Sequence, residues 1–207
     1  MEYKESFLKG QINFFSFIGP TCPICGDPHC YREVTPYWRY AIELFPGFKK
    51  ERIPISRFLC RSRRVTFSLL PIQLIPYFQY TVRAVIGTLL LGFRSWQMGK
   101  RGFFGAMVAV DPDSEVTPWL VAFWLATVLQ GLRRGHAVLG RFYDLRGLRT
   151  SHRTDAWEEV ASYFVAFGWK PQMPCGPLLL GILRHYSRAT RLFLFGTASQ
   201  YRSSISR

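Results

Sequence analysis

The sequence predicts an α+β protein in which a small β-rich module is followed by an all-α domain. Residues 21–72 are rich in Cys, Pro, Gly, Arg and aromatic residues and show little helical periodicity. From residue 76 onward, apolar residues recur at the three- and four-residue spacing of a helix with one buried face. Hydrophobic residues occupy 48% of the 207 positions, which is enough for a core in one or two domains of ordinary size.

The β-rich module is expected to contain two extended segments, at residues 31–44 and 52–59. In the second segment, Ile53 and Ile55 point to one face while Pro54 lies on the other, which is the two-residue period of a strand. Because proline has no N–H to donate to a neighbouring strand, Pro54 predicts that this strand lies at the edge of its sheet.

The all-α domain is expected to contain four helices. Thr117 suits the N-cap of one helix and Pro118 its first residue, because the N–H that proline lacks would have no partner there. Helices are predicted to begin near Pro76, at Pro118, at residue 155 and at residue 176, while residues 93–110 are a short helix or a turn. The resulting organisation is a lead-in at 1–20, the β-rich module at 21–72, the helical domain at 73–198 and a basic tail at 199–207.

The five cysteines predict a metal site instead of a disulfide framework. No apolar run near the N-terminus is long enough for a signal peptide, so we expect a cytoplasmic protein, in which thiols stay reduced. Cys22 and Cys25 form a C-x-x-C-G knuckle, whose glycine allows two thiolates to face one metal ion. Structural zinc takes four ligands, and Cys30 and Cys60 complete the set with the spacing C-x2-C-x4-C-x29-C. The module is therefore predicted to be zinc-ribbon-like.

The cysteine pattern leaves the ligand set open at one position. His29 is an alternative to Cys30, although thiolate is the stronger zinc ligand. A second C-x-x-C would need a cysteine at position 63, but Arg63 stands there and arginine does not bind zinc. Cys175 lies far from the other cysteines and is expected to be a packed thiol. A module of about 50 residues with few aliphatic side chains is hard to stabilise without a metal ion.

Short blocks of the sequence also carry a family resemblance. They are CPICG at residues 22–26, YWRY at 37–40, IPISRFLC at 53–60, TFSLLP at 66–71 and IPY at 75–77, with weaker similarity in VTPWL at 116–120 and GLRRGH at 131–136. Together they resemble a bacterial transposase-like family that joins a zinc ribbon to a helix-turn-helix, mainly over residues 20–92. The resemblance implies a helix-turn-helix-like helical domain, DNA binding associated with mobile elements, and zinc ligands at Cys22, Cys25 and Cys60.

The charge distribution favours a polyanionic partner. The chain has 27 Lys and Arg residues against 13 Asp and Glu residues, for a formal net charge of +14. Residues 49–101 contain eleven of these cations and one acid, Glu51. Guanidinium groups around Cys60 can bridge phosphate oxygens or reach guanine in the major groove of double-stranded DNA. The candidate DNA contacts are Arg57, Arg61, Arg63, Arg64, Lys100, Arg101, Arg133 and Arg134.

We therefore expect a non-catalytic DNA-binding protein that serves a mobile element as an accessory or regulatory factor near the bacterial nucleoid. A transposase active site needs carboxylates that converge on two metal ions. The densest acidic group, Asp111, Asp113 and Glu115, suits a turn before a helix better than a metal cage. The chain also lacks a phosphate-binding glycine loop, a nucleophile elbow and a zinc-protease motif.

The main alternative is a subunit that binds a transposase or recombinase protein. Its contact surface would be the aromatic helical residues around Trp119, Trp124 and residues 193–195, although the apolar stripe after Pro118 is expected to be mostly buried. Peripheral binding to anionic lipid ranks below both, because the cations are not gathered on one amphipathic helix. No apolar stretch reaches the length of a membrane span, so integral membrane association is not expected.

Overall fold

The structure, a computed structural model, describes residues 2–99, 102–148, 155–170 and 175–196. Within these ranges the chain forms a three-stranded antiparallel sheet and seven α-helices, which confirms the predicted mixed α+β class. In chain order the elements are α1 (Glu2–Leu8), α2 (Phe14–Ile18), β1 (Tyr31–Glu43), β2 (Lys49–Cys60), β3 (Val65–Leu69), α3 (Val82–Gln97), α4 (Gly102–Val108), α5 (Pro118–Leu139), α6 (Ala156–Ala166) and α7 (Gly176–Thr190).

The sheet has the strand order β1-β2-β3, so β2 is its central strand. The expectation that Pro54 marks an edge strand is therefore wrong. Strand β3 pairs only with residues 56–60 of β2, however, and Pro54 lies beyond that stretch, opposite Trp38 of β1. At Pro54 the sheet is two strands wide, so the missing N–H is tolerated as it would be in an edge strand.

One face of the sheet is covered by α2, a helix that the sequence did not predict. Asn13 caps this helix by accepting a hydrogen bond from the Ser16 N–H at 3.3 Å. The Phe58 and Phe67 rings stack across β2 and β3 with centroids 5.5 Å apart. The buried residues of this face are Ile18, Cys22, Tyr31, Phe58, Cys60, Phe67 and Leu69.

The opposite face of the sheet is covered by α1 and by the segment after β3. The buried residues are Ala41, Ile53, Ile55 and Leu74, with Tyr3 and Leu70 packed against them. Lys4 of α1 forms an ion pair with Glu51 of β2 at 3.0 Å, which fixes the helix on the strand. The lead-in is thus two short helices, one for each face of the sheet.

The helical core is built around α5, whose predicted start is confirmed. Thr117 is the N-cap and accepts a hydrogen bond from the Leu120 N–H at 3.2 Å, and Pro118 is the first helical residue. The buried side of this helix contacts α3, α4, α6 and α7. At Gly131, a β-carbon would lie 2.5 Å from the Leu194 carbonyl oxygen, so this helical position requires glycine.

Helix α3 begins at Val82, six residues after the predicted start at Pro76. Residues 71–81 form turns and isolated β-bridges, and Tyr77 has a positive φ of 65° that ends any helix there. Thr81 then caps α3 by accepting a hydrogen bond from the Ala84 N–H at 3.1 Å. The ambiguous segment 93–110 contains the short helix α4.

The tip of the β1-β2 hairpin packs into the helical core. Ile42 and Leu44 are buried there, and the Ile42 carbonyl accepts a hydrogen bond from the Thr81 N–H at 2.9 Å. Glu43 forms an ion pair with Arg83 of α3 at 3.1 Å. The sheet and the helices therefore share one apolar contact region at the start of α3.

The exposure of the aromatic side chains on and near the helices differs from residue to residue. Trp124, Phe193 and Phe195 are buried, so they cannot form the aromatic contact surface of the interaction hypothesis. Trp119, by contrast, is 75% exposed and Phe123 is also exposed, so the stripe after Pro118 is only partly buried. In the described part of the chain, every helix is too short or too polar to cross a membrane.

The acidic group before α5 forms a turn, as predicted. Residues Pro112–Ser114 make a short 3-10 helix, and Asp111 accepts a hydrogen bond from the Asp113 N–H at 2.9 Å. Glu115 follows in the left-handed conformation with a φ of 57°. The Asp111 carboxylate therefore caps its own turn.

Candidate metal centre

Four cysteine sulfurs converge at one end of the sheet. The Sγ atoms of Cys22, Cys25, Cys30 and Cys60 all lie within 4.8 Å of one another. The Cys30 sulfur is 2.9 Å from that of Cys25 and 3.7 Å from that of Cys60, and the Cys25 and Cys60 sulfurs are 3.6 Å apart. These are the four cysteines that the sequence predicts as ligands.

The cluster has the size of a tetrahedral four-thiolate site. Zinc bound at about 2.3 Å by four sulfurs separates neighbouring sulfurs by about 3.8 Å. Two of the measured separations match this value, and the Cys25–Cys30 pair would have to open by about 0.9 Å to reach it. His29 is exposed and lies outside the cluster, so the fourth side chain of the group is that of Cys30.

The local backbone explains how residues 22–25 present two sulfurs. The Cys22 carbonyl accepts a hydrogen bond from the Gly26 N–H at 2.8 Å, which closes a tight turn. Gly26 has a φ of 81°, a conformation that side-chain-bearing residues rarely adopt. The Cys22 N–H donates to the Asp27 carbonyl at 3.0 Å, so both sides of the turn are held by backbone hydrogen bonds.

The other two sulfurs come from the open end of the β1-β2 hairpin. Cys30 directly precedes β1, and Cys60 is the last residue of β2, opposite Tyr31 in the register. The Cys30 carbonyl accepts a hydrogen bond from the Arg61 N–H at 3.0 Å, which extends the ladder past the strand ends. Antiparallel pairing thus joins cysteines that are thirty positions apart in sequence.

The turn after Cys60 resembles the knuckle at residues 22–26 in part of its geometry. The Arg63 N–H donates a hydrogen bond to the Cys60 sulfur at 3.4 Å. Arg64 then takes the left-handed conformation with a φ of 51°. The Ser62 hydroxyl donates to the Asp27 carboxylate at 3.1 Å and so connects this turn to the first one.

The electrostatics of the cluster disfavour free thiolates. The pKa of Cys30 is raised to about 12, first by its hydrogen bond with Cys25, then by burial and by contacts with Cys22 and Cys60. Burial and the nearby sulfurs also raise the pKa of Tyr31, whose hydroxyl donates to the Gly19 carbonyl. Four sulfurs this close need a cation before they can all ionise. An all-sulfur donor set suits zinc better than magnesium or calcium, which prefer oxygen ligands.

The predicted DNA contacts within the described ranges lie on different elements of the fold. Arg61, Arg63 and Arg64 are all exposed and lie on the turn at residues 61–64, which we call the arginine turn. Arg57 is half-buried in β2, in register with Val34 and Ser68. Lys100 and Arg101 lie outside the described residues.

The two predicted contacts on α5 have structural partners. Arg133 donates two hydrogen bonds to Glu159, at 2.8 Å from Nε and 2.6 Å from an Nη atom, and Glu159 is only 3% exposed. The Arg134 guanidinium donates to the Gly196 carbonyl at 2.6 Å. Both arginines are also exposed, and their contact with DNA stays a prediction. Because their guanidinium groups are engaged within the fold, the DNA surface proposed below does not rely on them.

Cys175 is partly buried, and its burial raises the pKa of the thiol.

The structure adds a cluster that the sequence analysis did not single out. Trp38 and Tyr40 are exposed on β1, and the side chains of Lys50 and Arg52 approach the Tyr40 ring from β2. Three aromatic residues at positions 37, 38 and 40 were visible in the sequence, but the pairing with β2 was needed to place the cations next to Tyr40.

Comparisons of the chain with protein-family models, with curated proteins and with solved structures return no match. The resemblance to a transposase-like family therefore stays a prediction.

Proposed function

We propose that the protein binds double-stranded DNA through a module whose fold is held by one zinc ion on Cys22, Cys25, Cys30 and Cys60. The observation that carries the proposal is the position of the arginine turn, which begins directly after a cysteine of the sulfur cluster. The same metal site that closes the sheet end would thus orient three exposed guanidinium groups.

Zinc would have a structural role at this site. Four protein sulfurs fill a tetrahedral coordination sphere, so no position remains for a substrate or a water molecule. Cys22 and Cys60 are buried in the apolar cluster under α2, so metal binding and packing of that cluster are coupled. When bound, the ion would supply the positive charge that four neighbouring thiolates require.

The arginine turn supports a phosphate-binding role. Arg61, Arg63 and Arg64 are exposed within four residues, and the turn backbone is held to the cluster by the Arg61 and Arg63 N–H groups. Arginine presents a rigid fork of donors that binds phosphate oxygens or the edge of guanine in two-point contacts. The net charge of +14 adds long-range attraction to DNA.

The helical part contributes less to the DNA hypothesis. In a helix-turn-helix, the first turns of the recognition helix present side chains to base edges. The first turns of α5 expose Trp119 and Phe123, which offer little hydrogen bonding to bases. We therefore place the DNA contacts on the zinc module and keep the helix-turn-helix assignment only as an implication of the family resemblance. The accessory or regulatory, non-catalytic role at a mobile element rests on the same resemblance.

A second candidate function is protein binding by an aromatic surface patch at the start of α5. The Trp119 and Phe123 rings stack with centroids 6.0 Å apart, and Phe123 stacks on Phe78 at 5.5 Å. Neighbouring Tyr77 is 80% exposed. Exposed aromatic groups of this kind are common in protein interfaces. A transposase or recombinase subunit would be the expected partner.

The DNA proposal is tested by fluorescence anisotropy with a random-sequence duplex over a range of salt concentrations. The triple variant R61A/R63A/R64A should bind several-fold more weakly, and its log–log salt slope should fall by about 0.9 for each phosphate that it no longer neutralises. The matched control is R141A/R184A/R188A, which removes three exposed arginines from other elements. Equal weakening in both variants would show that only the net charge matters and would contradict a site at the arginine turn.

Sequence preference is a separate question within the same proposal. Selection of bound duplexes from a random library at near-physiological salt would enrich a motif if the arginines contact base edges. A pool without a motif would restrict the arginine turn to phosphate contacts. Absence of duplex binding by the wild-type protein at this salt would instead favour the aromatic surface patch as the functional surface.

A further inference from the structure

The exposed cluster on the β1-β2 hairpin has the properties of a nucleobase-stacking surface. We call Trp38, Tyr40, Lys50 and Arg52 the hairpin platform. Tyr40 lies opposite Arg52 in the register, and Trp38 lies opposite Pro54. Since side chains alternate along a strand, Trp38, Tyr40 and Arg52 belong to one face of the sheet, with Lys50 two residues from Arg52 on the same face.

This part of the sheet face is open, whereas the face behind it is buried. Trp38 is 44% exposed and Tyr40 is 41% exposed. On the other face, Ile53 and Ile55 are fully buried beneath α1 and the segment after β3. A core on the opposite face of the sheet therefore supports strands whose aromatic rings are exposed. Residues two apart on a strand are about 6–7 Å apart, so the two rings lie side by side.

Cations accompany the rings. The Lys50 ammonium is 5.0 Å from the centroid of the Tyr40 ring, and the Arg52 guanidinium carbon is 5.9 Å from it. Both side chains are exposed and lie over the Tyr40 ring. A base that stacks on this ring would displace the two flexible cations, which could then pair with the phosphates of the same strand, so the arrangement suits a ligand that combines planar rings with phosphates.

The two neighbouring acids, Glu51 and Glu33, lie outside the platform. Glu51 lies between the two cations in sequence but points to the opposite face, where it pairs with Lys4. Glu33 shares the face of the platform, but it lies beyond the bulge between Val34 and Tyr37 and accepts a hydrogen bond from the Ser56 hydroxyl at 3.3 Å. The platform itself thus carries two positive charges, from Lys50 and Arg52.

We propose that the hairpin platform binds single-stranded DNA, with bases stacked on Trp38 and Tyr40 and backbone phosphates paired with Lys50 and Arg52. Stacking requires unpaired bases, because the faces of paired bases are covered by their neighbours in a duplex. Every base has a π-face, so the site tolerates many sequences. The platform is separate from the arginine turn, and this proposal does not depend on the duplex-binding one.

The test uses the full chain and a fluorescent oligothymidine of about ten nucleotides, which does not form a duplex. The variant W38A/Y40A should bind it at least about tenfold more weakly than the wild type. The variants Trp38→Phe and Tyr40→Phe keep aromatic faces and should bind within about threefold of the wild type. The control is W119A/F123A, which removes two exposed, stacked rings without neighbouring platform cations and should bind normally.

Three further measurements make the result decisive. Thermal unfolding of each variant separates lost binding from lost folding, and if W38A/Y40A fails to fold, K50A/R52A takes its place with the same expected direction. Unchanged oligothymidine binding by a folded W38A/Y40A or K50A/R52A variant overturns the proposal, as does equal weakening in the control.

An oligouridine of equal length that binds while oligothymidine does not would assign the platform to RNA and also overturn it. Duplex binding that falls in parallel with oligothymidine binding in W38A/Y40A would mean that the rings do not select unpaired bases, which contradicts stacking.

Discussion

The backbone N–H of Arg63 donates a hydrogen bond to the Cys60 sulfur at 3.4 Å. In a C-x-x-C knuckle, position 63 would carry the second thiolate, and here that position gives the sulfur a backbone donor while its side chain is exposed. The fourth sulfur of the cluster comes instead from Cys30, which lies across the hairpin from Cys60. One residue can therefore support the metal site with its backbone and leave its charge available to a ligand.

We expect Arg63→Ala and Arg63→Pro to separate these two roles. Alanine keeps the N–H, so zinc content should stay at one ion per chain while duplex binding weakens. Proline has no N–H and loses the hydrogen bond to the Cys60 sulfur, so zinc retention against a chelator should fall. Metal analysis after dialysis with a competing chelator measures the difference. Equal retention by both variants would mean that this hydrogen bond does not support the site.

Zinc removal should unfold the sheet end first. Cys22→Ser or Cys60→Ser should abolish stoichiometric zinc binding and lower the melting temperature, since both side chains are buried in the cluster beneath α2. Cys30→Ser should also lose zinc, while the exposed His29 should be replaceable by Ala without effect. The matched control is Cys175→Ser, whose sulfur is outside the cluster. Elemental analysis and circular dichroism test this, and equal zinc content in all of these variants would exclude the four-sulfur site.

The cysteine cluster was predictable because local turns and one hairpin are enough to form it. A knuckle at residues 22–26 and two strand ends bring the ligands together, and both features leave a pattern in the sequence. The roles of the arginines on α5 were not predictable in this way. Arg133 pairs with Glu159, 26 positions away, and Arg134 with Gly196, 62 positions away, so only the packed helices show their partners.

The missed elements of the fold have a common physical cause. Helices α1 and α2 are seven and five residues long, too short to be stable alone, and they form because each covers one face of the sheet. Strand β3 has only five residues and depends on pairing with β2. The starts of α5, α6 and α7 were predicted to within one residue, whereas α3 begins six residues after its predicted start.

Gly131 should not tolerate replacement by alanine, whereas Gly181, another helical glycine, should. In Gly131→Ala, the new methyl group would lie 2.5 Å from the backbone oxygen of Leu194, and such overpacking typically costs about 1–3 kcal/mol. Gly181, in α7, has no atom within 4 Å of an added methyl group. Gly181→Ala should therefore stabilise the protein by about 0.5–1 kcal/mol through helix propensity. Denaturant unfolding measures both, and a Gly131→Ala protein as stable as wild type would contradict the close contact between α5 and residue 194.

The Lys4–Glu51 contact should make stability depend on acid pH. The hydrogen bond from Lys4 is the main cause that holds the pKa of Glu51 below its ordinary value of 4.5. The unfolded chain therefore binds this proton at higher pH than the folded chain does. The stabilisation is complete above about pH 4.5 and is lost as the pH falls through the pKa of the folded state. Lys4→Met should lower the melting temperature at pH 7 and have less effect near pH 3, and an effect that is constant across this range would contradict the linkage.

Arg133→Ala should lower the free energy of unfolding and leave DNA affinity unchanged. Substitutions in the arginine turn should show the reverse pattern, with lower DNA affinity and unchanged stability. Its two hydrogen bonds to the buried Glu159 carboxylate hold α5 against α6, and their loss leaves a buried charge without this partner. We expect a cost of about 2 kcal/mol, which Arg133→Ala/Glu159→Met should partly recover because methionine buries no charge. Chemical denaturation measures the cost, and anisotropy at a temperature where each variant is folded measures affinity. A folded Arg133→Ala protein that loses more duplex affinity than R61A/R63A/R64A would place the DNA surface on α5 after all.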